Sequence, residues 1–181
     1  MRIHETSLAD VYLIEPTPIE DDRGFFARVW SDDEFREQGI EATWVQGNLG
    51  FSHRAGTLRG LHFQHPPHEE AKLISCPRGE LYDVVVDLRL GSPTRWQWIG
   101  VEISAKNRSL IYLPPGCAHG YQTLVPDTEL LYLTSHRYEP TSASGLRWDD
   151  PHLGIEWPMP VTLMSEQDRN WPLFDPQEVV S

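Results

Sequence analysis

Cysteine is scarce: Cys76 and Cys117 are the only two in 181 residues. Two isolated thiols at this spacing make neither a disulfide framework nor a zinc signature. They are expected as small buried core residues in a reducing compartment. Positive charge is also in deficit, with 15 Lys and Arg against 27 Asp and Glu and a formal net charge of −12. Nucleic-acid binding needs Lys and Arg to displace counterions, so no nucleic-acid partner is expected. A small anionic ligand in a locally basic pocket stays compatible with that balance. No apolar run approaches 18 residues, so no membrane span is expected. The opening MRIHETSLAD has no apolar stretch and no cleavage site, and does not read as a signal peptide. A cytoplasmic protein is the expectation. Low-complexity segments, charge blocks and fixed-period repeats are missing too. The length fits one domain, 1–181, long enough to bury a core without disulfides or structural metal.

What is present is a succession of short runs rich in Val, Ile, Leu, Tyr and Trp, separated by Gly, Pro, Asp and Asn clusters. That pattern predicts an all-β sandwich or barrel. Residues 80–89 give the clearest strand, with Tyr82, Val84, Val86 and Leu88 on one face and Asp83, Val85, Asp87 and Arg89 on the other. Further strands are expected over 96–104, 109–113, 119–124 and 129–138, with extended chain over 11–15 and 25–30. One short helix is expected after Ser31, which with Glu34 spells a capping box. Phe35 follows, and Gly39 is the stop. The Trp-rich C-terminal third is expected to wrap the sheet with short helical turns.

Several residue types capable of chemistry are spread over these elements. GTLRGLHFQ, residues 56–64, carries Arg59 and His62 in one predicted strand, and Lys72 begins the next. PPGCAHG, residues 114–120, puts His119 just after a turn; Tyr132 lies mid-strand in ELLYLTSHRY, and Asp168 lies in SEQDRNWP. Singly, each has an ordinary structural reading: a hydrogen-bonded strand histidine, a core tyrosine, a solvated lysine, a surface Asp168–Arg169 pair. Small β-barrels that bind metal use G-x5-H-x-H with a Glu, then P-x-G-x2-H. Gly56 to His62 and Pro114 to His119 have those spacings, but Gln64 stands where the second histidine would be. Gln is a poor ligand for zinc, iron or copper, so a centre built from His62, His119 and Glu69 or Glu70 is disfavoured and no metal is expected. His65 and His68, in the loop HPPHEE, are expected at the surface. Arg59 and His62 are an odd number of residues apart, which sends them to opposite faces of a regular strand. To share a ligand, the chain must bulge at Gly60 or Arg59 must reach around a strand end.

RGFFARVW, VQGNLGFS, GTLRGLHFQHPP, KLISCPRGELYDVVVDLRLGSPT, LPPGCAHGYQTL, LLYLTSHRY, GLRWDDPHLGIEWP and SEQDRNWP occur in that order, the first beginning at Arg23 and the last ending at Pro172. Together they resemble the dTDP-4-dehydrorhamnose 3,5-epimerase family (RmlC-like, cupin superfamily). The resemblance implies a cupin-type jelly-roll barrel and an isomerase with no metal and no cofactor. It also implies a homodimer with exchanged N-terminal segments. The implied substrate is a nucleoside-diphospho-4-keto-6-deoxyhexose, inverted at C3, C5 or both through an enolate. A C–H beside a ketone becomes removable when the enolate oxygen is stabilised, and an acid on the other face returns a proton. In this chain His62 matches the base, Asp168 its carboxylate partner, Lys72 the enolate stabiliser and Tyr132 the proton donor. Arg59 and His119 match substrate-binding residues, and Arg23, Gln46 and Asn48 match nucleotide-binding ones, with Phe26 (or Phe25) beside them. Arg28 replaces a usual acidic residue of that segment, which makes a CDP-linked sugar the alternative to a dTDP-linked one. Leu133 replaces a common Lys while Tyr138 is retained, which leaves C3-only or C5-only inversion open. A metal-dependent barrel enzyme and a non-catalytic sugar-nucleotide binding module are the remoter alternatives.

Overall fold

Strands built on alternating apolar residues dominate the regular structure of this chain. A computed structural model describes residues 1–41 and 43–174, and among them the strands in chain order are β1 (Arg2–Glu5), β2 (Tyr12–Glu15), β3 (Ile19–Asp21), β4 (Gly24–Phe26), β5 (Gln46–Ser52), β6 (Leu58–Gln64), β7 (Lys72–Arg78), β8 (Glu80–Asp87), β9 (Trp98–Ser104), β10 (Leu110–Leu113), β11 (Cys117–Thr123), β12 (Thr128–Thr134) and β13 (Ala143–Gly145). Two short helices, α1 (Asp32–Arg36) and α2 (Glu166–Arg169), complete the regular structure. One sheet has the order β1-β2-β10-β7-β12-β5, the other β13-β6-β11-β8-β9, and β3-β4 form a separate hairpin. Neighbours in both sheets run antiparallel. Two facing antiparallel sheets with these crossovers are a jelly roll, the all-β architecture expected from the strand pattern.

The side-chain period of two sorts residues into three apolar clusters. Between the sheets lie Ile74, Cys76, Leu81, Val85, Ile111, Leu113, Cys117 and Leu130. Outside the five-stranded sheet, Val84, Val86, Leu88 and Ala118 pack under Leu146, Leu153 and Phe174, with Trp157 against them. Outside the six-stranded sheet, Leu73, Leu110 and Tyr112 pack under Phe35 and Ile40. Strand β8 is therefore buried on both faces, which explains why Val dominates it. Both cysteines are free and buried, and burial pushes the Cys76 thiol up to about 11 and the Cys117 thiol to about 12.

Three local expectations need correction. The Ser31 side chain makes no capping hydrogen bond. Glu34 instead takes the Met1 ammonium at 3.0 Å and the Arg28 guanidinium at 2.9 Å, so charge pairing displaces the capping box. Gly39 does follow the helix, at φ +75°. The strand expected from residue 96 begins at Trp98, because Trp96 has φ +70° and its N–H bonds back to the Asp87 carbonyl. Of the two loop histidines, His65 is exposed, while His68 is half-buried and meets Ser142 Oγ through Nδ1 at 2.7 Å.

Candidate active site

One end of the space between the sheets is filled by the apolar cluster; the other is a cavity of about 400 Å³. The division follows the strands. Inward positions of β7 run Lys72, Ile74, Cys76, and those of β12 run Leu130, Tyr132, Thr134, so the same alternation that builds the core delivers polar side chains to the cavity. Strand β6 forms the facing wall. There His119 pairs with His62 and Tyr121 with Arg59, so Gly60 and Leu61 stand opposite Gly120 alone. This is a β-bulge, and it returns Arg59 and His62 to one side, where both line the cavity. Glycine is needed for it: Gly60 has φ +120°, and a Cβ there would lie 2.5 Å from the Gly120 Cα. Of the two routes open to Arg59, the bulge is the one used.

His62 is the exposed member of a histidine–carboxylate pair. Its side chain is 49% exposed, and its Nε2 lies 2.6 Å from Oδ1 of Asp168, which is buried. Asp168 starts from helix α2, where its N–H donates to Ser165 Oγ at 3.0 Å. Its carboxylate also accepts from Gly60 N–H and from Trp171 Nε1, each at 3.3 Å. Burial works against its charge, but the hydrogen bonds from His62, Gly60 and Ser165 win and hold the carboxyl below the usual range. A second pair lies deeper. His119 Nε2 is 2.8 Å from Oδ2 of Asp83, and both are buried. Burial pushes the Asp83 carboxyl up, against the pull of His119 and Lys72. On the facing wall the Lys72 ammonium is 2.9 Å from Glu70 Oε1, with both side chains nearly buried. The Tyr132 hydroxyl is pushed up by burial first and then by the charge of Glu70, so it holds its proton at neutral pH.

The cavity gathers eight of the residues singled out in the sequence. His62, Arg59 and His119 line it from the five-stranded sheet, and Lys72, Tyr132, Gln46 and Asn48 from the other, with Tyr138 beyond β12. Gln46 Nε2 donates to Asn48 Oδ1 at 3.0 Å, and Arg59 donates to the Phe51 carbonyl at 3.0 Å. Asp168 stands behind His62. Arg23, Phe26 and Arg28 are elsewhere. Arg23 is at the tip of the β3-β4 hairpin, 90% exposed and paired with Asp21. Phe26 is 73% exposed on the same hairpin, and Arg28 is committed to Glu34. Three participants were not singled out as site residues. Asp83 carries a signal, a carboxylate inside the apolar run ELYDVVVD, and Trp171 is three residues from Asp168; Glu70 enters the sequence reading only as a candidate ligand of the disfavoured metal centre.

The donor set does not suit a metal. Among the described residues no three His, Cys, Asp or Glu side chains converge as a metal site requires. Gln64 is turned to other work: it donates to the His68 carbonyl at 2.7 Å, to the Arg137 carbonyl at 3.2 Å and to Glu70, and accepts from Glu139 N–H at 2.6 Å. The His62 and His119 imidazoles each already have a carboxylate on Nε2.

Comparison with known proteins agrees over nearly the whole chain. A family model described as dTDP-4-dehydrorhamnose 3,5-epimerase matches residues 5–176. The dTDP-4-dehydrorhamnose 3,5-epimerase of Sinorhizobium fredii is 42% identical over 173 residues, covering 95% of this chain and 89% of that protein. The crystal structure of the enzyme of that name from Bacillus anthracis, with TDP and pyrophosphate bound, superposes with a TM-score of 0.92 at 42% identity, over 96% of this chain and 99% of the other. The Legionella pneumophila dTDP-6-deoxy-D-glucose-3,5-epimerase in complex with dTDP-4-keto-L-rhamnose superposes at 0.89 with 37% identity, over 95% and 92%.

Proposed function

The chain belongs to the dTDP-4-dehydrorhamnose 3,5-epimerase family, and from that premise we propose how its cavity performs the reaction. The enzyme is an epimerase of a nucleoside-diphospho-4-keto-6-deoxyhexose, and dTDP is the nucleotide supported by the solved relatives. His62 is the base. Its Nε2–H donates to the Asp168 carboxylate, so the neutral ring carries its lone pair on Nδ1. Nδ1 takes the proton from the carbon beside the C4 ketone. The C–H electron pair forms the enolate double bond, and the negative charge moves onto O4, where the Lys72 ammonium stabilises it. Tyr132 then gives its hydroxyl proton to the same carbon from the other side, and the centre is inverted. The imidazolium and tyrosinate left behind exchange protons with solvent to reset the site. No electrons leave the substrate, so the step needs no redox cofactor. Asp168, ionised below the usual carboxylate range, favours the imidazolium as it forms.

The observation that carries this reading is that the base and the acid stand on opposite walls. His62 comes from the five-stranded sheet, and Tyr132 with Lys72 from the six-stranded sheet. A single wall bearing both groups would return the proton to the face it left. Arg59 and His119 are assigned to the diphosphate and sugar, and Gln46, Asn48 and Tyr138 to the nucleotide end. His62→Asn should abolish turnover while dTDP binding persists; a variant with wild-type turnover would remove His62 from the role of base.

The proposal extends to the assembly. The β3-β4 hairpin exposes Ile19, Phe25 and Phe26, and the outer face of β5 and β12 exposes Leu49, Phe51 and Leu131. Exposed apolar clusters of this kind mark association surfaces. We assign them to a homodimer with exchanged N-terminal segments, in which Arg23 and Phe26 of one subunit reach the nucleotide in the other. Sedimentation of the protein as a monomer that retains full activity would contradict this. No helix among the described residues is long and apolar enough to cross a membrane, and two free buried thiols suit a reducing cytoplasm.

A further inference from the structure

Among the described residues that line the cavity, Glu70 carries the only carboxylate. Its sign is wrong for a site that develops an enolate, because a nearby like charge raises the energy of an oxyanion. The geometry accounts for it. Glu70 Oε1 is 2.9 Å from Lys72 Nζ, and Oε2 accepts from Gln64 Nε2. Gln64 is itself fixed by the His68 and Arg137 carbonyls and by Glu139 N–H. Glu70 therefore has little freedom to swing away. The ammonium it holds ends a flexible four-carbon stem, and in a side chain only 7% exposed it needs a counter-charge while the cavity is empty.

We infer that Glu70 is a positioning residue for the epimerase reaction: clamped by Gln64, its carboxylate holds the Lys72 ammonium at the point where O4 of the substrate gains charge. The inference rests on the assignment of Lys72 made above. The carboxylate also acts on the proton donor. Glu70 from the loop before β7, Arg59 from β6 and Tyr121 from β11 act on the Tyr132 hydroxyl, and Lys72 from β7 lines the same cavity. After burial, Glu70 is what raises the proton affinity of Tyr132, and Arg59 opposes it. One carboxylate thus sets the position of the cation and helps keep the acid protonated.

The test is Glu70→Gln in the full-length enzyme, which keeps the size and an acceptor for Lys72 and removes the charge. Loss of a charge-assisted hydrogen bond in the transition state should lower kcat about ten- to hundredfold, with KM changed less than about threefold. The alkaline limb of kcat against pH should move to lower pH, since the charge that raised Tyr132 is gone. Glu70→Asp keeps the charge but falls one methylene short, so it should lose rate yet retain the alkaline limb. In a Lys72→Met background, Glu70→Gln should cost nothing further. A wild-type kcat and pH profile in Glu70→Gln, or a full additional loss on top of Lys72→Met, would make Glu70 merely structural and overturn the inference alone. A wild-type rate in Lys72→Met would overturn it together with the Lys72 assignment.

Discussion

Replacing Asp168 with Asn changes one charge and almost no volume, and the hydrogen bonds around it predict a large effect. Besides Ser165, which helps hold it ionised, the carboxylate serves His62 Nε2 at 2.6 Å and Trp171 Nε1 at 3.3 Å on Oδ1, and Gly60 N–H at 3.3 Å on its other oxygen. An amide has one accepting end and one donating end, so it cannot serve all three. With its oxygen towards His62, its NH2 meets the Gly60 N–H, donor against donor, and the imidazolium loses its counter-charge. With its NH2 towards His62, the ring must offer a lone pair on Nε2, and the proton moves to Nδ1. The nitrogen assigned as base is then blocked. Two opposite charges about 4 Å apart attract by about 4 kcal/mol near a protein surface. His62 is half exposed, which reduces that to about 2 kcal/mol, and the mismatched hydrogen bond adds about 1 kcal/mol. A barrier higher by about 3 kcal/mol lowers kcat by about two orders of magnitude. The assay is initial-rate epimerisation of the 4-keto sugar nucleotide, with dTDP affinity as the control that the cavity has survived. A kcat within about threefold of wild type would refute the reasoning. The same variant has a stability signature. A carboxyl held below its unfolded value contributes stability that is present above pH ~4 and lost as pH falls through the folded value. The stability difference between wild type and Asp168→Asn should therefore be widest at neutral pH and close in acid.

Tyr132→Phe keeps the base and the lysine, so it should still exchange the first proton with solvent while inversion slows; an unchanged inversion rate would exclude Tyr132 as the acid. Gly60→Ala puts a Cβ 2.5 Å from the Gly120 Cα at φ +120°, which should destabilise the fold by about 3 kcal/mol or more, read as a lowered melting temperature; an unchanged one would mean the bulge yields freely. Asp83 has the opposite linkage to Asp168: its carboxyl is raised by burial, so its contribution is fully present below pH ~4 and is lost as pH rises through the folded value. The stability of Asp83→Asn relative to wild type should thus improve from acid to neutral pH in urea unfolding, and a constant difference would contradict this.

The two halves of this account were legible in the sequence to different degrees. Strand β8 could be read from its run of Val and Leu, because both faces are buried against apolar layers. The parity of Arg59 and His62 asks for either a bulge near Gly60 or a reach around a strand end, and the bulge is the one that forms. Strand β5, QGNLGFS, is not legible as one: two glycines, an asparagine and no β-branched residue give no strand signal. It forms because all seven residues pair in register with β12. The capping box failed because the Met1 ammonium, far along the chain from Glu34, competes for its carboxylate. The site behaved similarly. The resemblance named Asp168 as partner to His62 across 106 residues, a pairing that no local rule reaches. It did not name Glu70 or Asp83, whose meaning depends on the strand register that brings them to Lys72 and His119.

Solvent deuterium uptake is the most direct test of the central claim, that a carbon beside the C4 ketone is deprotonated on one face and reprotonated on the other. The dTDP- and CDP-linked 4-keto-6-deoxyglucose substrates would be incubated with the enzyme in heavy water and the products weighed by mass spectrometry. The account predicts two deuterons in the dTDP-linked product, at C3 and C5, with both centres inverted, and slower uptake from the CDP-linked sugar. Product formed from either substrate without any deuterium, or no reaction with both, would contradict it.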